Sequence, residues 1–392
     1  MTMQQVSVSR LPGDRRRSFT TTSRGVICNC ASDQRRGPSR DTVAPMSLPV
    51  DVPDDLVSVQ SFIVRSLHRV QDRLEHQLTS DIPPVVKLTE HVEKYRGKMI
   101  RPVLCSLMGL ACGADAATMT AADIESRELS ERHTIIAGVC ELVHLATLVH
   151  DDILDEADIR RKSVTVNRLH GNETAVILGD YLFSAAFHLC SQLDSSEAPL
   201  AIAQTGMTLC SGELLQLWHR EDFSLDEPTY YEIVRRKTAS LIAAACKFGA
   251  RFADASPEVV LAAERYGEML GIAFQIQDDL LDLTGDQRIV GKSVTKDLEK
   301  GKLTLPLIHH LRVVTPEIRG QTLAILEIAE KDTEKSATEL RRLLAASGSI
   351  QYAKDAANSL VDQAIVQLDA IAKSPARKML EILANAAVAR AY

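Results

Sequence analysis

From Pro53 onward, apolar residues recur every three or four positions, the pattern of a helix with one buried face. The stretch "DDLVSVQSFIVRSLHRVQDRLEHQL" (54–78) opens with acids in its first turn, as a helix start favours. The same period predicts helices near 86–112, 131–156, 173–192, 197–219, 227–253, 256–284, 302–313, 316–346, 348–371 and 375–391. Pro199, Pro228, Pro257, Pro306 and Pro316 fall near proposed helix starts, where proline is tolerated. Clean apolar–polar alternation is rare, and neither a hairpin signal nor a short repeat is found. An all-α protein is expected.

Composition agrees. The 392 residues are 45% apolar, enough for one large core or two small ones, while aromatics are only 4%. No uninterrupted apolar run reaches the roughly 18 residues of a membrane span. Residues 1–50 differ: eight arginines stand against Asp14, Asp33 and Asp41, and apolar periodicity is absent. This tail is expected to be disordered, a transit peptide, or an extension ahead of a true start at Met46. Residues 51–392 are expected to form one catalytic domain. The expected location is cytoplasmic, or plastid or mitochondrion if the tail is a transit peptide. The tail is positive inside a chain of net charge −7, so the body is strongly negative, which argues against nucleic acid as the main partner. Cys105, Cys112, Cys140, Cys190, Cys210 and Cys246 lie scattered in apolar stretches, as reduced thiols do. Cys28 and Cys30 have no second pair with which to close a zinc site.

Two acidic segments stand out against this background. "TLVHDDILDEADIRR" (147–161) ends an apolar helix with Asp151, Asp152 and Asp155. "FQIQDDLLDLTGD" (274–286) repeats the D-D-x-x-D spacing with Asp278, Asp279 and Asp282. In each, the first and last aspartates lie one turn apart on one face. Two such helices packed together would converge several carboxylates, a costly arrangement unless cations bind. Hard oxygen ligands without nearby Cys favour magnesium, which takes a few carboxylates plus waters and substrate phosphates. Basic residues supply the other half: Arg96, Lys98 and Arg101; Arg160 and Arg161; Lys237 with Thr238; Lys292 and Lys302. Beside the acid pairs they suggest a bound diphosphate.

With "GKMIRP", "KTASL", "GDYLFSAAF", "GELLQL" and "GKLTLPL" in order around both aspartate segments, the chain resembles the trans (all-E) isoprenyl diphosphate synthases from about residue 56 to its end. It is most similar to their octaprenyl and solanesyl branch. The resemblance implies the isoprenoid synthase fold, a bundle of antiparallel helices around a deep central cavity, and a homodimer. It implies that Asp151 and Asp155, with Asp152 nearby, and Asp278 and Asp282, with Asp279 beside them, hold magnesium, about three ions with diphosphate bound. It implies that Arg160, Lys237, Thr238 and Gln275, helped by Lys292 and Lys302, hold an allylic diphosphate, farnesyl or geranylgeranyl. Lys98, Arg101, His144 and Arg161 would hold isopentenyl diphosphate. His144 lies two turns before Asp151 on the same face; His150 carries no family role and is read as structural. Three departures from the family pattern occur: Arg96-Gly97-Lys98 for Gly-Gly-Lys, Lys162 for glycine after Arg161, and Arg390 without a second basic residue.

The implied reaction is ionisation of the allylic diphosphate, with Asp151, Asp155, Lys237 and Asp278 as its catalytic residues. The isopentenyl double bond then attacks the carbocation and a proton is lost, behind walls that exclude water. Positions one or two turns before the first aspartate motif set product length in this family. Here Val139, Val143, Ala146 and Thr147 are modest, so no floor is expected and the product should reach roughly twenty carbons or more, one helical turn rising about one isoprene unit. Octaprenyl length is favoured. A terpene cyclase or a head-to-head synthase would lack Lys98 and Arg101, a non-catalytic subunit would lose aspartates, and an EF-hand would need alternate ligands.

Overall fold

In a computed structural model, the chain is described at residues 50–284, 300–328 and 333–389. Lys292 and Arg390, like the tail with Cys28 and Cys30, lie outside the described residues.

Most helices follow the predicted stripe; the short ones at Ala121–Ser126 and Val166–His170 were not among those expected. The helices are α1 Val57–Gln77, α2 Pro83–Glu93, α3 Ile100–Ala111, α4 Ala121–Ser126, α5 Glu131–Leu154, α6 Val166–His170, α7 Asn172–Cys190, α8 Glu197–Trp218, α9 Glu227–Val234, α10 Ser240–Phe252, α11 Pro257–Thr284, α12 Leu305–Val313, α13 Pro316–Ile328, α14 Thr333–Ala346, α15 Ser349–Gln367 and α16 Pro375–Ala389. Proline opens α2, α11, α13 and α16, where the missing N–H costs nothing. Asp226 caps α9 by accepting from the Thr229 amide at 2.9 Å.

Three expectations need correction. The helix expected over 86–112 is two, α2 and α3, parted by a loop in which Met99 takes φ 47°. The segment 316–346 is likewise two helices, α13 and α14. A hairpin also exists: Ile159–Arg160 (β1) pairs antiparallel with Ser163–Val164 (β2). Its two turn residues, Arg161 and Lys162, have φ 48° and 67°, the left-handed pair usually taken by Asn-Gly. Without those residues the turn carries no sequence signal.

Helix α5 is the centre of the bundle, packed against α1, α3, α7 and α10, while α11 lies on α10 and α15. Among the described residues, α5 has the length and hydropathy of a membrane span, but 83% of its apolar window is buried inside the protein. One large core joins α1, α3, α5, α7, α10 and α16; a second joins α9, the end of α11, α12, α14 and α15. Met46–Tyr392 forms one compact unit.

Candidate active site

Elements from across the bundle bring polar residues to one cavity of about 1240 Å³, larger than an ordinary small-ligand pocket. It is lined by Lys98 and Arg101 at the start of α3, Glu141, His144, Thr147, His150 and Asp151 on α5, and Arg160 and Arg161 on the hairpin. Glu213 comes from α8, Lys237 and Thr238 from the turn before α10, and Gln275 and Asp278 from α11. Both aspartate segments therefore reach the same space. The rest of the wall is apolar, with Leu148, Phe183, Leu209, Leu214, Leu217, Leu241, Ile242 and Phe274.

Lys237 and Thr238 project from a single π-helical turn, Arg235–Ala239, an irregularity that re-aims side chains and is frequent at functional sites. A Cβ on Gly212 would lie 2.8 Å from the Lys237 amide nitrogen, and one on Gly271 2.6 Å from the Ala239 Cα. Glycine on α8 and α11 thus lets both helices close on the π turn. Lys237 is ion-paired with Glu213. Burial alone would discharge its amine, but Asp151, Glu213 and Asp155 outweigh that and hold its pKa above the ordinary value. Burial pushes the Asp151 carboxyl up, offset in part by Lys237. For Asp155, burial is outweighed by Lys302, whose Nζ lies 2.9 Å from Oδ1, and by Lys237 and Arg160, so its carboxyl is held below the usual range.

The middle aspartate of each segment, expected beside the metal ligands, is placed differently. Asp152 is 1% exposed and does not line the cavity; Nε and Nη2 of Arg160 both reach its Oδ1 at 2.7 Å. Its carbonyl accepts from the Ala157 amide and the Asn167 amide group, tying the end of α5 to the loop that follows it and to α6. Asp279 is also buried. It accepts from the Tyr230 hydroxyl at 2.6 Å and from Gln275 Nε2 at 2.8 Å, and the Thr238 hydroxyl donates to Gln275 Oε1 at 2.8 Å. Each middle aspartate holds a neighbouring side chain in place. The cause is the helical period, which turns position i+1 about 100° away from the face shared by i and i+4. Asp282 is half-buried one turn beyond Asp278, outside the lining of the cavity.

At the far side, Arg161 swings back from its hairpin turn to donate to the Tyr95 carbonyl. Its guanidinium lies over Gly97, in the space a Cβ there would take, so glycine at 97 leaves room for this arginine. Tyr95 was not singled out from sequence, yet it is fully buried and its hydroxyl accepts from the Val166 amide at 3.0 Å, joining the loop before α3 to the start of α6. Burial, then Arg101, Arg161 and Arg160, keep His144 neutral by driving its pKa well below the ordinary value.

The expected chain-length positions divide. Thr147 lines the cavity. Val139, Val143 and Ala146 are fully packed in the core at 0%, 1% and 0% exposure, and none lines the cavity. Their stripe on α5 is adjacent to the one bearing Glu141, His144, Leu148 and Asp151. Sequence reasoning passed over Phe183, whose ring abuts Gly206; His150, read there as structural, lines the cavity above Gly179 and lies 3.6 Å from Asp180.

A magnesium site can be judged from the donors. Among the described residues no preformed cage of three or more carboxylate, imidazole or thiol groups exists. Magnesium does not require one, because it binds through one or two carboxylates and completes its shell with waters and phosphates. Asp151 and Asp278, both half-buried in the lining of one cavity, fit that requirement.

The sequence profile of the polyprenyl synthetase family matches residues 83–344. The chain is 32% identical to octaprenyl diphosphate synthase of Escherichia coli over 337 residues, 86% of this chain and 99% of that one. It is also 32% identical to a short chain isoprenyl diphosphate synthase of Methanothermobacter thermautotrophicus over 336 residues, 84% of this chain and 98% of that one. A polyprenyl synthase of Caulobacter crescentus, solved in complex with calcium and isoprenyl diphosphate, superposes with a TM-score of 0.76 at 29% identity, covering 88% of this chain and all of that one. The chain belongs to the polyprenyl synthetase family, and its fold is the all-α isoprenoid synthase fold. It is a prenyltransferase.

Proposed function

We propose that this prenyltransferase condenses isopentenyl diphosphate head-to-tail onto an allylic diphosphate, farnesyl or geranylgeranyl, and repeats the step to an octaprenyl-like length. The observation that carries this reading is the pairing of Asp151 and Asp278 with two basic clusters on one apolar cavity. Lys237, Arg160, Thr238 and Gln275 bind the allylic diphosphate, and Lys302 steadies Asp155 beside them. Lys98, Arg101, Arg161 and neutral His144 bind the isopentenyl diphosphate. Asp151, Asp155, Asp278 and Asp282 would hold magnesium, which when bound neutralises charge building on the departing diphosphate. Lys237 and Arg160 add fixed positive charge where the leaving group develops its own, in a site that needs no reorganisation. Leu148, Leu241, Ile242 and Phe274 keep water from the allylic cation. The released diphosphate, held by the same cations, takes the proton lost after the double bond attacks.

A homodimer is part of this reading. Leu200, Met207, Leu214 and Trp218 are 62%, 75%, 67% and 84% exposed on α8, and with Gln204 and Cys210 they form an uncharged stripe at three- and four-residue spacing. Ile177 on α7 is 67% exposed as well. So large an apolar face supports burial against a second copy.

The test is elongation by purified protein with magnesium, labelled isopentenyl diphosphate and either primer, with product length read by chromatography. Elongation to a long polyprenyl chain is expected; no elongation with any primer would sink the reading.

A further inference from the structure

Glu141 lies in the cavity wall at 2% exposure, one turn before His144 on α5, and the roles above do not use it. Its Oε2 is buried and has no hydrogen-bond partner among the described residues. A carboxylate is not buried this way without compensation. The charges facing it are Arg101 of α3, Arg161 of the hairpin turn and Arg96 of the loop between α2 and α3. Cys140, its neighbour in sequence, and His144, beside the same arginines, are the other titratable groups. The Nε atoms of Arg96 and Arg101 are also buried without partners among the described residues. Three orphaned polar atoms of opposite charge thus gather at one end of the cavity.

We infer that Glu141 is the counter-charge of the isopentenyl diphosphate site and takes a proton from solvent when that diphosphate binds. This rests on the site assignment proposed above. Without ligand, the carboxylate offsets the repulsion among three guanidinium groups and keeps them together in the wall. A diphosphate engaging Arg101 and Arg161 cancels the field that keeps Glu141 ionised, and leaves two anions close together in a water-poor space. Burial already pushes the Glu141 carboxyl up, against the pull of the arginines, and loss of that pull acts in the same direction. On protonation one carboxylate oxygen becomes a hydroxyl. The orphan atom then becomes a donor able to meet the ligand, where before it could only repel it. Glu141 is a positioning residue, acting through the arginines rather than on the reacting carbons.

Two consequences follow. The KM for isopentenyl diphosphate rises with pH, by up to about tenfold per unit where one proton is taken up. In Glu141→Gln that slope flattens, while the KM for the allylic primer keeps its wild-type pH profile.

The direct test is calorimetric titration of the full chain with isopentenyl diphosphate, without primer, at pH 8, where the free diphosphate is already ionised. Each titration is run in two buffers of unequal ionisation enthalpy. Wild type is expected to take up about one proton per ligand, and Glu141→Gln almost none. Equal uptake by both proteins overturns the inference. So does zero uptake by wild type, a result that stands even if the variant fails to fold. Either result alongside normal elongation removes only the role of Glu141. Absence of binding, together with absence of elongation, removes the functional reading as well.

Discussion

Asp278 and Asp279 are adjacent in sequence and differ in everything the site asks of them. Asp278 lines the cavity, whereas Asp279 holds Tyr230 and Gln275. Asp278→Asn is therefore expected to raise the magnesium concentration for half-maximal activity and to cut turnover by at least about a hundredfold, as loss of a transition-state charge contact does. Asp279→Asn should leave the magnesium requirement unchanged and raise the KM of the primer, because Gln275 loses its anchor. Metal titrations of the two variants separate the outcomes, and a shifted magnesium requirement in Asp279→Asn would contradict the assignment. The sequence made both D-D-x-x-D segments plain, yet the roles within each depend on side-chain direction, which a one-dimensional spacing carries only through the helical period. The reading of product length depends on side-chain direction in the same way. Ala146 was picked by its distance from Asp151, but it packs in the core. Ala146→Phe is expected to destabilise the fold by about 1–3 kcal/mol through overpacking, read by urea denaturation. Thr147→Phe, facing the cavity, is expected to shorten the product. Unchanged chromatograms for Thr147→Phe would dismiss that stripe as the wall of the growing chain.

At the scale of elements, periodicity identified the helices and misjudged their interruptions. The break between α2 and α3 contains Gly97, which lies beneath Arg161, and a left-handed Met99. No local sequence rule marks the place, since the guanidinium over Gly97 comes from a residue 64 positions away. The hairpin escaped notice for a related reason: Arg161 and Lys162 adopt left-handed backbone that glycine and asparagine favour. His133 shows a joint between elements with a measurable cost. At the start of α5, its Nε2 is 3.1 Å from the Gly249 carbonyl of α10, its Nδ1 is 2.8 Å from the Ser130 hydroxyl, and its ring packs over Gly109 of α3. Burial lowers its pKa to about 4. The folded state therefore refuses a proton that the unfolded chain accepts below its ordinary value near 6.5. The stabilisation is fully present above that value and is lost progressively as pH falls toward 4, to a total of about 3 kcal/mol. Urea denaturation of wild type and His133→Gln between pH 7 and pH 4 should show this share of the acid sensitivity missing from the variant.

For the whole molecule, the legible part was the class: helical, apolar, with paired acids and scattered bases. The cavity was expected only by resemblance, because no pattern of residues reports an enclosed volume. The outward stripe on α8 was hidden for the opposite reason, since an apolar face exposed in one copy has the same period as one buried in its own core. Met207→Asp with Trp218→Asp, both outside the cavity lining, is expected to yield monomers in sedimentation velocity. A wild-type monomer at micromolar concentration would remove the homodimer from the reading.

Gly212, Gly267 and Gly271 allow α8, α10 and α11 to touch backbone to backbone around the π turn. Nothing larger fits, so the spacing between Lys237 and the aspartate of α11 is fixed by main chain rather than by adjustable side chains. The wall further in, at Thr147, Leu148 and Phe183, is made of side chains alone. The machine that breaks and makes bonds is thus rigidly framed, while the mould below it can be recut one residue at a time. A lineage could then explore products of many sizes without ever putting its chemistry at risk.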